Sequence, residues 1–474
     1  MQDHMNPLIS AESQLDHYWD KSYPFFESFV NLPSLSPAFS TSPKDYDLLR
    51  ESLQIVIEYI NSLGLNGVNI DFSEGSDVMS PFLLVTIEPT KENYKTVGFY
   101  AHADKQPPFT DKWDEGLHPY KLVQKDNRLY GRGTVDDGYA LFTIFNLIKV
   151  IQETCKDHDR YIVMIETSEE SGSCHLGHYL EKYNGLLHDM SHLICMDSGG
   201  PTDDRLWLTS SLRGCFMGEL KVSIGKTEIH SGDGGGVVPC PYRVLNSVLA
   251  RIENPENGKM KCLHTDIPDS ALINMIKTSS ILPYDKMFSF PVNENIDFFP
   301  HASNKQVRLY MRNAWKPSLT VIGFDGLPTV ANGGNAINPT VSAKLSIRLP
   351  PNMKWVDAKN IVKNILEKNP PQNINVTFTP SLGCDGWASK DIDEELGKVL
   401  ESISVKNYNN SVGFVSSGGS IPIMGILQEK LPGCNVMATG ILTSESNAHG
   451  PNEFLCTSTL RSFTHGVFEL LTQL

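Results

Sequence analysis

Apolar side chains near the start of the chain recur at close to every third or fourth position. Leu48, Leu49, Leu53, Ile55, Val56, Ile57, Ile60 and Leu63 follow a 3.6-residue period, which predicts a helix over 46–63 in a stretch, 1 to about 60, that reads as helical. Short apolar runs then begin to alternate with helical pattern. Thr96–Ala101, Tyr161–Ile165 and His192–Met196 read as buried strands. Tyr139–Cys155 reads as an amphipathic helix, with Leu141, Phe142, Phe145, Ile148 and Ile151 on one side. Strand, helix, strand, helix, strand predicts an α/β sheet with a mostly parallel core between helices.

The pattern changes near residue 212. Cys215–Ile224 alternates as a half-exposed strand does. Val341, Ala343, Leu345, Ile347 and Leu349 share one face of a second alternating run, and Ser342, Lys344, Ser346 and Arg348 the other. Trp355–Lys368 predicts a helix closed by Pro370–Pro371, and Val376–Thr379 a short strand, whereas 254–328 is rich in Pro and Asn without a clear period. This block reads as a smaller α+β domain with a one-sided antiparallel sheet. Helix and buried-strand patterns resume at about Ile392. The expected organisation is a first domain over 1–211 and 386–474, interrupted by an inserted domain over 212–385.

The 474 residues carry 55 Asp plus Glu against 40 Lys plus Arg, a net charge of −15, which repels phosphate backbones and argues against nucleic acid as a partner. No run approaches the roughly 20 apolar residues that span a bilayer, so no membrane partner is expected. Met1–Gln14 lacks a basic start followed by an apolar run. The nine cysteines are scattered, odd in number and never spaced C-x-x-C, which argues for free thiols rather than a disulfide framework or a thiolate metal site. Together these predict a soluble cytoplasmic protein.

Polar side chains gather where the predicted strands end. His102 and Asp104 follow the first strand, Glu169 and Glu170 the second, and Asp197 the third. Loops at the carboxyl ends of parallel strands are where open α/β sheets place their sites. Gly131-Arg-Gly-Thr-Val-Asp-Asp-Gly138 sets Asp136 and Asp137 at the start of the predicted helix, and Asn447-Ala-His-Gly-Pro451 puts His449 in a tight polar loop. Taken singly, Asp136 reads equally as a helix N-cap, and Glu169-Glu170 as a solvated turn. Taken together, so many carboxylates on neighbouring strand ends repel one another unless a cation neutralises them. Imidazole and carboxylate without thiolate suit zinc first, then manganese or cobalt. The Gly232–Gly236 loop lacks the spacing of a phosphate-binding turn.

The stretches His102-Ala-Asp-Lys-Gln-Pro107, Leu129–Gly138, Glu169-Glu-Ser-Gly-Ser173, Met196-Asp197, Ile229-His-Ser-Gly232, Ser346-Ile-Arg348, Gly418-Gly-Ser-Ile-Pro422 and Ala448–Glu453 occur in one order along most of the chain. In these the sequence resembles the M20 metallopeptidase family of co-catalytic zinc hydrolases, and most of all its carnosinase and cytosolic non-specific dipeptidase branch. The resemblance implies a dimetal catalytic domain and an inserted lid or dimerisation domain, with two zinc ions per chain. Asp136 would bridge the ions, His102 and Asp197 would complete one, and Glu170 and His449 the other. Asp104 would hydrogen-bond the His102 ring, Glu169 would be the general base, and the peptide bond after Asp136 would be cis. His230 would reach the partner's site across a homodimer to stabilise the oxyanion. Arg348 would clamp the substrate's free carboxylate together with Gly418, Gly419 and Ser420, and Asn335 would be a further substrate contact from the partner subunit.

The resemblance thus implies cleavage of a peptide bond next to a free carboxylate, of dipeptidase or carboxypeptidase type. The alternative is an N-acyl-amino-acid deacylase using the same centre. A non-catalytic metal-binding homologue fits the intact donor set less well. The chain departs from the branch's usual pattern at Ser417, Asn335, Gly138-Tyr139 and Asn338, all outside the metal-ligating positions.

Overall fold

The computed structural model describes residues 7–40, 42, 44–282, 296 and 305–474 and divides the chain into two compact units. Within the described residues, 1–210, 389–415 and 426–474 form the first, and 211–388 with 416–425 the second. The first six residues of the helical N-terminal stretch, and 283–295 and 297–304 of the Pro- and Asn-rich segment, lie outside the described residues.

The first unit opens with helices α1 (Pro7–Asn31) and α2 (Lys44–Leu63). Strands β1 (Val68–Ser73), β2 (Phe82–Ile87) and β3 (Thr96–His102) follow, then α3 (Tyr139–Thr154), β4 (Arg160–Glu166), β5 (Met190–Cys195) and β6 (Trp207–Leu212). All residues of β2 and β3 are buried, as expected of strands covered on both faces. Helix α3 departs from the one-sided pattern expected of it. It is buried nearly all round, from Tyr139 to Ile151, because α1 and α2 pack on it as well as β3. Phe142 is fully buried and meets Phe26, Phe29 and Tyr59 edge to face. Each such ring contributes about 1.5–3 kcal/mol by leaving water.

The second unit contains β7 (Gly214–Ser223), α4 (Pro241–Leu249), α5 (Asp269–Ile281), α6 (Lys305–Ala314), β8 (Ser318–Asp325), β9 (Thr340–Leu349), α7 (Trp355–Glu367) and β10 (Asn375–Cys384). Among its described residues the 254–328 segment, which shows no clear period, thus holds α5, α6 and β8. The sheet runs β8–β9–β7–β10, antiparallel throughout. Phe216, Leu220 and Val222 of β7 join Val341, Leu345 and Ile347 of β9 in a core covered by Val244, Leu245 and Val248 of α4 and Ala358, Val362 and Leu366 of α7. The other face carries the polar residues, as the alternation predicts.

The chain then completes the first unit with α8 (Glu394–Tyr408), β11 (Asn435–Thr439) and α9 (Thr457–Gln473). Its sheet order is β1–β2–β4–β3–β5–β11–β6. The pairings β4–β3, β3–β5 and β5–β11 are parallel, and β1, β2 and β6 join by antiparallel pairings. One segment departs from the expected division. Residues 416–425, expected with the first domain, belong to the second unit, where the Ser416 amide donates to the Tyr310 hydroxyl and the Ser420 hydroxyl to the Arg213 carbonyl.

Candidate metal centre

Strand β3 lies between β4 and β5, with His102 opposite Glu166 on one side and Tyr100 opposite Cys195 on the other. His102, the Glu169–Glu170 turn and Asp197 therefore leave the sheet at one edge. The fourth contributor is the irregular turn Thr134–Gly138 that enters α3. Its Asp136–Asp137 peptide is cis, and Asp136 (φ −127°, ψ 88°) is non-helical. The Gly138-Tyr139 departure has a physical reason here. A Cβ on Gly138 would collide with the Gly133 carbonyl oxygen and the Phe29 ring. Tyr139 is buried and its hydroxyl donates to the Met196 carbonyl at 2.5 Å, tying the head of α3 to the strand end that carries Asp197.

Asp136 sits between the two imidazoles. His102 Nε2 is 3.1 Å from its Oδ1 and His449 Nε2 is 3.0 Å from its Oδ2. His102 Nε2 is also 3.8 Å from Asp197 Oδ1, and His449 Nε2 is 3.4 Å from Glu170 Oε2. Two groups of donor atoms are close enough for an ion, His102 with Asp136 and Glu170, and His102 with Glu169 and Asp197. His449 adopts φ +65°, an uncommon conformation for a side chain with a Cβ, in the loop that delivers its ring.

Asp104 faces the His102 ring with both its carbonyl and its carboxylate. The His102 Nδ1 contact is to the Asp104 backbone carbonyl at 3.1 Å, whereas the carboxylate oxygen is 3.5 Å away. That carboxylate accepts the amide N–H groups of Glu169 and Glu170, both at 3.1 Å. The carboxylate thus engages the turn that carries the two glutamates as well as lying against the ring.

The electrostatics are those of crowded carboxylates. Burial and the Asp197 charge push Glu169 well up, and burial with Asp136 does the same to Glu170. Burial raises Asp197, only partly offset by His102. Asp136 is held low: burial alone would raise it, but hydrogen bonds from His102 and His449 overcome that. Among the described residues Glu170 Oε1 and both carboxylate oxygens of Asp137 are buried without a hydrogen-bond partner. Orphaned oxygens and like charges at one point are the surroundings a multivalent cation satisfies. The nitrogen and oxygen donor set therefore fits zinc, manganese or cobalt.

Two further residues brace the centre without having been singled out beforehand, although both lie in the matching stretches. Arg132 Nη1 and Glu453 Oε2 form a buried ion pair at 2.6 Å. Glu453 Oε1 accepts the amides of Gly133 and Val135 at 3.0 and 3.2 Å, and Arg132 Nη2 donates to the Gly450 and Pro107 carbonyls at 2.8 and 3.0 Å. The pair thus joins the Asp136 turn to the His449 loop.

The second unit gathers the remaining expected residues into two places. Arg348 Nη1 donates to Ser420 Oγ at 2.9 Å, and Arg213 Nε donates to the Gly418 carbonyl at 3.0 Å. The Gly419 amide donates to Ser417 Oγ at 3.1 Å. Arg213, not anticipated, is buried, and burial with the neighbouring Arg348 charge lowers it to about 10. His230 and Asn335 meet elsewhere. Ile229 and His230 pair with Ile337 and Ala336, the Asn335 carbonyl accepts the Ser231 amide at 2.9 Å, and the His230 side chain is 64% exposed.

One buried and one exposed imidazole, with buried carboxylates, at the strand ends of a mixed α/β sheet define a metal-dependent hydrolase. The chain belongs to the peptidase family M20/M25/M40, which matches residues 98–473. It is 26% identical to the Cys-Gly metallodipeptidase DUG1 of Saccharomyces cerevisiae, over 94% of each chain. It is 23% identical to the human Beta-Ala-His dipeptidase, over 82% of this chain and 77% of that one. The structure of human carnosine dipeptidase 1 shares its fold with a TM-score of 0.72 at 20% identity, covering 99% of this chain and 100% of that one. Among the described residues no helix is long and apolar enough to cross a membrane.

Proposed function

We propose that this chain is a dipeptidase or carboxypeptidase-type enzyme that cleaves the peptide bond next to a free carboxylate. The observation that carries the reading is the convergence of His102, Asp136, Glu169, Glu170, Asp197 and His449 at one edge of the sheet. His102, Asp136 and Asp197 would hold one ion, and Asp136, Glu170 and His449 the other. Zinc is the first choice, with manganese or cobalt as alternatives. Such ions, when bound, polarise the scissile carbonyl and lower the pKa of water. Glu169 takes the proton of the attacking water on its carboxylate and delivers it to the departing amine nitrogen. The Asp104 carboxylate, through the Glu169 and Glu170 amides, holds that base in place.

Arg348, Gly419 and Ser420 receive the substrate's free carboxylate, a task that suits a guanidinium's parallel donors. The second unit acts as the lid and dimerisation domain of a homodimer, in which exposed His230, with Asn335 beside it, completes the partner's site and steadies the oxyanion. The nine cysteines form no disulfide, which supports a cytoplasmic setting. The dipeptidase names of the relatives favour peptide-bond cleavage over the deacylase alternative. The test is a hydrolysis screen of metal-loaded protein against dipeptides, longer peptides and N-acyl amino acids. Cleavage of unblocked dipeptides is expected, and a preference for N-acyl amino acids would overturn the reading.

A further inference from the structure

A row of side chains crosses the polar face of the second unit's sheet. Ser318 of β8 lies opposite Arg348 of β9, Arg348 opposite Cys215 of β7, and Cys215 opposite Cys384 of β10. The two sulfurs are 3.6 Å apart, and both cysteines are half-buried, so the pair is reachable from solvent. Glycines flank the pair. A Cβ on Gly383 would press on Phe216 and Trp355, and one on Gly214 on the Cys384 carbonyl, so the two strands approach closely at this point. Directly opposed antiparallel positions bring Cα atoms to about 4.5–5.5 Å, within the about 4.4–6.8 Å that a disulfide spans.

We propose that Cys215 and Cys384 form a disulfide-forming pair, oxidised by low-molecular-weight disulfides, and that closing the bond strengthens the grip of Arg348 on anions. The second half rests on the reading of Arg348 as the carboxylate clamp. The first half stands on the sulfur geometry alone.

The exchange balances. Cys215, having lost its proton to solvent, attacks one sulfur of the small disulfide and releases one thiolate. Cys384, likewise deprotonated, attacks the Cys215 sulfur of the mixed disulfide and releases the second. The protein loses two electrons and two protons, and the small disulfide becomes two thiols. The environment favours Cys215 as the attacking group. A hydrogen bond from the Cys384 thiol and the Arg348 charge bring it down to about 6 against burial, while the same hydrogen bond raises Cys384. An anionic sulfur opposite Arg348 competes with a substrate carboxylate for the guanidinium. Forming the bond removes that charge.

The experiment treats the metal-loaded enzyme with oxidised glutathione. Peptide mapping should show a Cys215–Cys384 cross-link with the mass loss of two hydrogens, reversed by dithiothreitol and absent from Cys384→Ser. KM for a dipeptide should fall roughly five-fold with kcat unchanged, the scale of one charge removed at a half-exposed site. Both cysteines remaining free to alkylation, or Cys215 stopping at a mixed disulfide, would overturn the pair. A formed cross-link with unchanged KM would overturn its link to anion binding, provided Arg348→Met raises KM. If Arg348→Met leaves KM unchanged, it is the clamp assignment that fails, and the mapped cross-link still decides the pair.

Discussion

Replacing Arg132 with Met removes one partner of an ion pair whose side chains are 1% and 0% exposed. Glu453 then keeps the Gly133 and Val135 amides but loses the guanidinium bonded to it. Breaking a buried pair from one side costs about 3–5 kcal/mol, and the two surviving amide contacts place this case near about 3. For a unit of about 290 residues, at roughly 2.1 cal/mol/K of unfolding entropy per residue, that is a fall in melting temperature of roughly 5 °C. The effect should also reach the metal centre. Arg132 Nη2 is bonded to the Gly450 carbonyl, one residue beyond His449, so the loop loses an anchor and the ion on the Glu170–His449 side should be held less tightly. Calorimetry of the metal-loaded variant, with elemental analysis of the same sample, measures both. The double variant Arg132→Met with Glu453→Leu should recover part of the loss in stability, because no charge is then left buried alone. If Arg132→Met melts within about 2 °C of the parent and keeps its full metal content, the pair does not brace the loop.

Gently purified protein should contain about two transition-metal ions per chain, and chelation should abolish hydrolysis; unchanged activity after complete stripping would sink the mechanism. Glu169→Gln should retain its metals while turnover falls by at least about 10²-fold, whereas loss of metal would mean that Glu169 and Glu170 exchange roles. Mixing inactive His230→Ala with inactive Glu169→Gln under subunit exchange should restore up to about a quarter of wild-type activity, since half the dimers are mixed and each has one intact site. No recovery in demonstrated mixed dimers would confine His230 to its own chain.

His102, Glu169, Glu170 and Asp197 were legible because they follow strands whose apolar runs are unambiguous. Thr96–Ala101 is a short run bounded by Lys95 and His102, and His102 is the first ionisable side chain after it. Other elements carried weaker signals. In α6 only Tyr310 and Ala314 are buried, a stripe of two positions that periodicity cannot separate from a loop. Phe82–Ile87 carries the same kind of short apolar run, broken only by Thr86, and was open to the same reading. The allegiance of 416–425 depends on Ser420 meeting Arg213, some two hundred positions away, which local pattern does not encode. The two amides that the Asp104 carboxylate also accepts were not legible, because only the folded Glu169–Glu170 turn brings them to it.

The spacing of the donors along the chain also has a consequence in time. His102, Asp136, Glu170 and Asp197 leave the ribosome early, while His449, which closes on Asp136 and Glu170, follows Asp197 by about 250 residues. At roughly 5–20 residues per second the second imidazole arrives roughly 10–50 s after the rest. Strand β11, which lies beside β5, is also a late arrival. A nascent chain can therefore present the His102–Asp197 side of the centre long before the other side exists. With the ligands proposed above, full metal occupancy would mark chains made past His449, measurable as the metal content of chains cut short before it.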